Sequence, residues 1–343
     1  MHQNGTPSGH HAPDVSSSLR TVQAQDADQL ASELTNWHQC YDQISAGRFA
    51  GALTELRRPG LQVFREDLSQ AVRQSCRVWP DAIWFGLPDH GALTRINGRQ
   101  AEADWMMVQP GNIEFELVTP AAYSIYGMVV SRQLLEDTAR RLGCEIDWRR
   151  VQAADLLQVD RAARAACVRT LAQLLPANGA SGLTDGGGNA GAAQADARGR
   201  LWQDAVLGRL LDLLDRSCVE PAMAASLQRR RQVVAQARDY MLTHRGNNIT
   251  VPELCEQVHV SRRTLQYCFE DVLGMSPNAY LRTLRLNGIR RQLHDGRAIG
   301  ELAGEWGLCN FSQFSSDYRK LFGLSPSAAQ KQKSLREGGI HRA

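Results

Sequence analysis

The spacing of apolar residues changes along the chain. Over residues 26–45, Leu30, Leu34, Trp37 and Tyr41 recur at helical intervals and predict an amphipathic helix. From Arg48 the texture shortens: residues 49–56 and 61–65 flank Arg57-Arg-Pro-Gly60 and read strand, turn, strand. Further strand-like runs cover 82–87, 93–96, 105–108, 113–118 and 124–130. Pro88-Asp-His-Gly91, Asn97-Gly98 and Pro110-Gly111 separate them, and Asn-Gly between strands favours a hairpin because both residues tolerate positive φ. Many short strands closed by tight turns predict an antiparallel barrel or sandwich.

Helical spacing returns over 131–142 and 154–175. Residues 177–199 are rich in Gly, Ala and Asn and predict a flexible linker. Within 201–217, Leu201, Trp202, Val206, Leu207, Leu210, Leu211 and Leu214 form a stripe that is either a core face or a dimer face.

The C-terminal third has a repeated grammar. Thr250 is placed to cap a helix with Pro252 in its first turn, Leu254, Cys255 and Val258 face inward, and His259-Val260 makes a turn. Ser261 then caps a second helix whose Leu265 and Phe269 point to the core, leaving Arg262, Arg263, Thr264, Gln266 and Tyr267 free to face outward. The pattern returns 49 residues later: Ser261 matches Asn310, Leu265 matches Phe314, Phe269 matches Tyr318, and Gly274-Met-Ser-Pro277 matches Gly323-Leu-Ser-Pro326. Cys255 matches Ala303 at a spacing of 48, so the second copy carries one extra residue in its turn, around Gly307-Leu308-Cys309. A repeat with its anchors in register marks two copies of one supersecondary unit. Between the copies, residues 278–293 form a long helix with Leu281, Leu284, Ile289 and Leu293 on one face and Arg282, Arg285, Arg290 and Arg291 largely off it.

Charge sharpens this picture. The net charge is +3, but residues 229–343 hold 18 of the 39 Lys and Arg and only 10 of the 36 Asp and Glu. A basic third on an acidic body points to a polyanionic partner. No run of 18 apolar residues predicts a membrane span, and the polar N-terminus has no apolar segment of a secretory signal, so a cytoplasmic protein without membrane contact is expected. The eight cysteines show no Cys-x-x-Cys spacing and read as reduced thiols; no metal and no cofactor is expected.

As a set, Ser-Arg-Arg-Thr-Leu265, Gly-Met-Ser-Pro277 and Phe-Gly-Leu-Ser-Pro326 resemble the DNA-binding domain of the AraC/XylS family, over about 100 residues from Val233 to Lys333. The resemblance implies two helix-turn-helix units on double-stranded DNA. Base reading then falls to Arg263, Gln266 and Tyr267 in the first unit and to Phe311, Ser312, Ser315 and Ser316 in the second. Ser261, Arg262, Arg319 and Lys320 take the phosphates. The second helix departs from a strong reader, since it offers Ser and an aromatic with no Arg on the groove face. The resemblance also implies a homodimer, a contact with RNA polymerase and a small-molecule effector.

Gly47-Arg-Phe-Ala-Gly51, Glu55-Leu56 and Gly60-Leu-Gln-Val-Phe-Arg-Glu66 resemble the β-rich half of the ethanolamine-utilisation operon activator group. Phe64, Trp84, Trp105 and Tyr123 are the candidates for its effector pocket, although core packing accounts for each equally well. An enzyme or repair domain fused to a DNA-binding domain is the alternative, and a constitutive regulator without a ligand is another. The barrel region holds only His90, read as a loop histidine, and there is no Gly-x-Ser/Cys-x-Gly elbow, so no catalytic residue is assigned. The expected architecture is α+β: a disordered tail over 1–25, a cupin-like β-barrel domain with helices over 26–176, a flexible linker over 177–199, a connecting helix over 200–228, and an all-α domain over 229–335 with two helix-turn-helix units on a long linker helix.

Overall fold

A computed structural model describes residues 19–89, 93–176, 192–215, 217–219, 225–293 and 297–332. Strand β1 (Leu19–Ala24) and helix α1 (Ala27–Glu33) come first. Strands β2 (His38–Gln43), β3 (Gly51–Arg58), β4 (Leu61–Leu68), β5 (Val72–Arg77), β6 (Ala82–Pro88), β7 (Thr94–Ile96), β8 (Arg99–Ala101), β9 (Trp105–Pro110), β10 (Phe115–Thr119) and β11 (Tyr123–Ser131) follow. Then come α2 (Arg132–Leu142), α3 (Trp148–Ala153), β12 (Leu156–Gln158), α4 (Arg161–Leu174), α5 (Ala192–Asp215) and β13 (Cys218–Val219). The C-terminal part is helical: α6 (Ala225–Thr243), α7 (Val251–Gln257), α8 (Arg262–Leu273), α9 (Pro277–Gln292), α10 (Ile299–Glu305) and α11 (Phe311–Phe322).

The strands form two antiparallel sheets, ordered β1-β3-β4-β11-β6-β9-β12-β13 and β2-β5-β10-β7-β8. Among the described residues no strand joins one sheet to the other, so the barrel reading is corrected to an open sandwich. The turns follow the sequence. Asn97 and Gly98, at φ 50° and 74°, close the β7–β8 hairpin, and Gly60, at φ 75°, closes β3–β4.

Strands of the larger sheet are buried on both faces. Along β11, Tyr123, Ile125 and Val129 enter the core between the sheets, while Tyr126, Met128 and Val130 enter a second core. Helices α2, α4 and α5 cover that second core. The stripe on α5 is therefore a core face: Trp202, Val206, Leu207, Leu210, Leu211 and Leu214 are buried, whereas Leu201 is exposed.

Several elements differ from the sequence reading. The helix expected over 26–45 stops at Glu33; Asn36 turns the chain at φ 61°, and Trp37 and Tyr41 fall outside it because β2 pairs with β5 from His38↔Arg77 to Gln43↔Val72. The helix expected over 154–175 is interrupted by β12, which pairs with β9, and restarts behind the cap Asp160. Strand β1 lies inside the expected disordered tail, whose residues 1–18 are outside the described residues. The expected linker overlaps the start of α5, with 177–191 outside the described residues, and α5 ends at Asp215, so 200–228 is not one helix. His90 also lies outside the described residues. Among the described residues no helix is long and apolar enough to cross a membrane.

Gly127 on β11 stands opposite Phe64 on β4, and a Cβ there would sit 2.1 Å from the Phe64 ring. Gly127→Ala must push that ring out of a packed core and is expected to cost about 1–3 kcal/mol in denaturant unfolding. Gly208→Ala, on α5 with nothing within 4 Å, is expected to gain about 0.5–1 kcal/mol.

Candidate nucleic-acid interface

Each C-terminal unit is assembled from local capping. Thr250 and Glu253 form a reciprocal capping box at the start of α7, with Pro252 in its first turn. His259, at φ 53°, turns the chain, and the Ser261 side chain accepts from the Thr264 N–H at 3.2 Å to start α8. Leu265, Cys268, Phe269, Val272 and Leu273 are buried, and Gly274 ends the helix at φ 73°. The second unit repeats the plan. Gly307 turns at φ 68°, Asn310 accepts from the Gln313 N–H at 3.0 Å, and Gly323 ends α11 at φ 70°. Four residues (258–261) join the first pair of helices and five (306–310) the second, which is the extra residue read from the sequence. The units have separate cores, one around Leu265, Phe269 and Tyr280, the other around Trp306, Phe314 and Tyr318.

The outward faces carry the residues singled out in the sequence. Ser261, Arg262, Arg263 and Tyr267 on the first unit are exposed; Gln266 is half-buried and donates to Glu270 at 2.5 Å. The Arg230 guanidinium lies 5.4 Å over the Tyr267 ring. On α11, Phe311, Ser312, Ser316, Arg319 and Lys320 are exposed and Ser315 is half-buried. Tyr267 and Phe311, at 54% and 52%, are large apolar side chains left in solvent, which an isolated helical unit has no packing reason to display.

Helix α9 holds what the sequence reading missed. Of its four arginines, Arg285 and Arg290 are buried, Arg291 is half-buried and Arg282 is exposed. Arg290 pairs with Asp26 and lies 4.4 Å over the Phe322 ring. Arg291 pairs with Asp28 at 2.8 Å and also with Asp42. Arg285 donates to the Asn247 carbonyl at 2.6 Å, and Arg282 pairs with Asp317 at 3.5 Å. Between them, the Asn287 side-chain amide accepts from the Gln43 N–H and donates to the Gln43 carbonyl, both at 3.0 Å. Gln43 in turn donates to the Leu321 carbonyl at 2.7 Å, which ties the end of α11 to the same strand. One signal was present in the sequence: Asn287-Gly288 interrupts the middle of an amphipathic helix. A Cβ on Gly288 would meet the Trp306 ring at 2.1 Å.

Phe64, Trp84 and Tyr123 are buried in the core between the sheets, and Trp105 packs against that core half-buried. Trp84 stacks on Phe115 at 4.9 Å, and Trp37 meets Phe64 edge-on at 5.7 Å. In the same interior lies Glu66, 4% exposed, accepting from the Tyr41 hydroxyl at 2.8 Å and from Gln74 at 3.3 Å.

Residues 254–332 match the family model described as helix-turn-helix domain. The chain is 32% identical over 99 residues to the probable thc operon regulatory protein of Rhodococcus erythropolis, covering 28% of this chain and 30% of that one. It is 35% identical over 89 residues to the XylDLEGF operon transcriptional activator of Pseudomonas putida, covering 25% of this chain and 28% of that one. Among solved structures, a probable AraC family transcriptional regulator from Rhodopseudomonas palustris is 28% identical, over 30% of this chain and 97% of that one, with a TM-score of 0.28. The C-terminal part contains a helix-turn-helix domain. The chain spans less than a third of the length of these two curated relatives.

Burial pushes the Glu66 carboxyl up from 4.5 to about 7, against the opposing hydrogen bonds from Tyr41 and Gln74. A folded-state value above the unfolded one means that its contribution is whole below about pH 4.5 and is lost as pH rises through 7. Glu66→Gln is therefore expected to flatten the fall in melting temperature between pH 5 and pH 8, measured by calorimetry on both proteins. Parallel pH profiles would contradict the assignment.

Proposed function

We propose that the protein is a sequence-specific, DNA-binding transcription regulator of the AraC type, an activator that answers a small-molecule effector. The observation that carries this reading is the pair of capped helices α8 and α11, each seated on its own core and turned outward, joined by the single helix α9. Two such helices reach successive major grooves, about 34 Å apart. Arg263 reads guanine and Gln266, once released from Glu270, reads adenine; Tyr267 and Phe311 supply apolar contacts of the kind thymine methyls accept. Ser312, Ser315 and Ser316 read weakly, so the second unit contributes more shape than base identity. Ser261, Arg262, Arg319 and Lys320 hold phosphates.

Activation is the favoured sign because a relative is named as an operon activator. In that reading the protein works as a cytoplasmic homodimer and contacts RNA polymerase, its sandwich belongs with the ethanolamine-utilisation activator group, and the effector displaces side chains around Phe64, Trp84, Trp105 and Tyr123. The test is a pull-down of genomic fragments by the full chain at two salt concentrations. A recurrent two-part motif supports the proposal; salt-sensitive capture without any motif contradicts it.

Two variants separate the roles. Arg263→Ala is expected to weaken specific binding by about 1–3 kcal/mol and to relax preference at one base pair. Arg319→Ala is expected to weaken binding to all sequences alike and to lower the salt dependence, read by fluorescence anisotropy on specific and scrambled duplexes.

A further inference from the structure

Between the smaller sheet and the helix-turn-helix domain lies a cleft of about 430 Å³, lined by Arg73, Asn97 and Glu116 from the N-terminal unit and by Arg231, Arg238 and Val272 from α6 and α8. Its volume is that of a site for a small organic molecule. Buried donors converge on it from both halves of the chain. Arg73, on β5, is 3% exposed. Its Nη2 pairs with Glu116 and its Nη1 stands 3.6 Å from Asp42, yet neither Nη1 nor Nε has a hydrogen-bond acceptor. The Nε of Arg238 is enclosed and also lacks an acceptor. Tyr280, on α9 and 1% exposed, does not line the cleft, although its hydroxyl also lacks a partner.

One unsatisfied buried donor is a local cost of packing. Three nitrogen atoms able to donate, from β5 and α6, call for an acceptor in the cleft that both residues line. Chain carboxylates do not supply it: Glu116 is held by Arg73, and Glu114, on the same wall, accepts from Ser75. Those two carboxylates also restrict the occupant, because a polyanion would be repelled where a single anionic group is not.

We propose that this cleft binds a small molecule carrying one anionic oxygen group, a carboxylate or a phosphate, that accepts from Arg73 and Arg238 and so bridges β5 and α6. This is a second candidate effector site, apart from the sandwich interior. Because α6 packs on the reading helix α8, filling the cleft changes how firmly the DNA-binding domain is held to the sandwich. That regulatory consequence rests on the function proposed above; the binding site itself does not.

The test uses the full chain with butyrate and with inorganic phosphate as probes, each against chloride at equal ionic strength, read by thermal unfolding and calorimetry. At least one probe is expected to raise the melting temperature saturably, and which one does so distinguishes carboxylate from phosphate. Arg238→Met is expected to weaken that binding about tenfold, whereas Tyr280→Phe, away from the lining, is expected to leave it unchanged. Tyr280→Phe removes a buried hydroxyl that has no partner, so it should also leave the ligand-free protein at least as stable as the parent. No saturable shift with either probe, or a shift that survives Arg238→Met, overturns the proposal and leaves the donors to ordered water. Anisotropy on duplex DNA then reads the consequence, with a change of at least about threefold in affinity expected on adding the bound probe. Binding that leaves DNA affinity unchanged overturns the regulatory half alone, and a chain that binds the probe but no DNA overturns the function proposed above.

Discussion

Helix α9 docked on strand β2 is the constraint from which the rest of the architecture follows. Strand β2 is an edge of the smaller sheet, and an open edge presents unpaired N–H and C=O groups. The Asn287 amide pairs with both groups of Gln43, so a helix side chain takes the place of a neighbouring strand. Around that pair, Arg290 and Arg291 meet Asp26, Asp28 and Asp42. Ion pairs this enclosed add little net stability, because each charge gave up its water, but losing one partner leaves the other stranded. Their effect is therefore on geometry. Since α9 also joins the two helix-turn-helix units, the same docking sets where both reading helices stand relative to the sandwich.

This changes the meaning of the charge asymmetry. A basic C-terminal third on an acidic body reads as a polyanion site, yet part of that basic charge is spent inside the molecule, on the acidic residues of α1 and β2. The cations that remain outward on the reading helices are Arg262, Arg263, Arg319 and Lys320. They sit at the start of α8 and toward the end of α11, so the two units do not present DNA with equivalent surfaces. The first combines cations with Gln266 and Tyr267; the second offers hydroxyls and Phe311. In the proposed function, the first unit discriminates bases and the second supplies position and salt-dependent affinity.

What the sequence made legible follows the range of the interactions. The helical repeat was readable to the residue, including the extra turn position, because Ser261, Asn310, Gly274 and Gly323 act on backbone groups within four residues of themselves. Asn97-Gly98 was readable for the same reason. Strands β1, β2, β5 and β12 were not, since their partners lie far off in the chain and their own sequences are polar or helix-like. Tyr41 has helical spacing with Leu30 and Leu34 and still belongs to a strand, because pairing with β5 outweighs the local period. The stripe of α5 left two readings open, and only the neighbouring sheet and α4 decided between them. The docking of α9 was least legible of all, for Arg290 and Arg291 look like part of a solvated face until Asp26, Asp28 and Asp42 are folded against them.

The central claim is that α8 and α11 enter adjacent major grooves as one rigid pair. Methylation-protection footprinting of guanine N7 on a fragment selected by the full chain tests it most directly, since N7 lies on the floor of the major groove. The account predicts two protected stretches on one face of the duplex, about one helical turn apart. It predicts further that Arg263→Ala reopens a guanine in only one of them. A single protected stretch, or protection that moves with salt and has no fixed spacing, would contradict it.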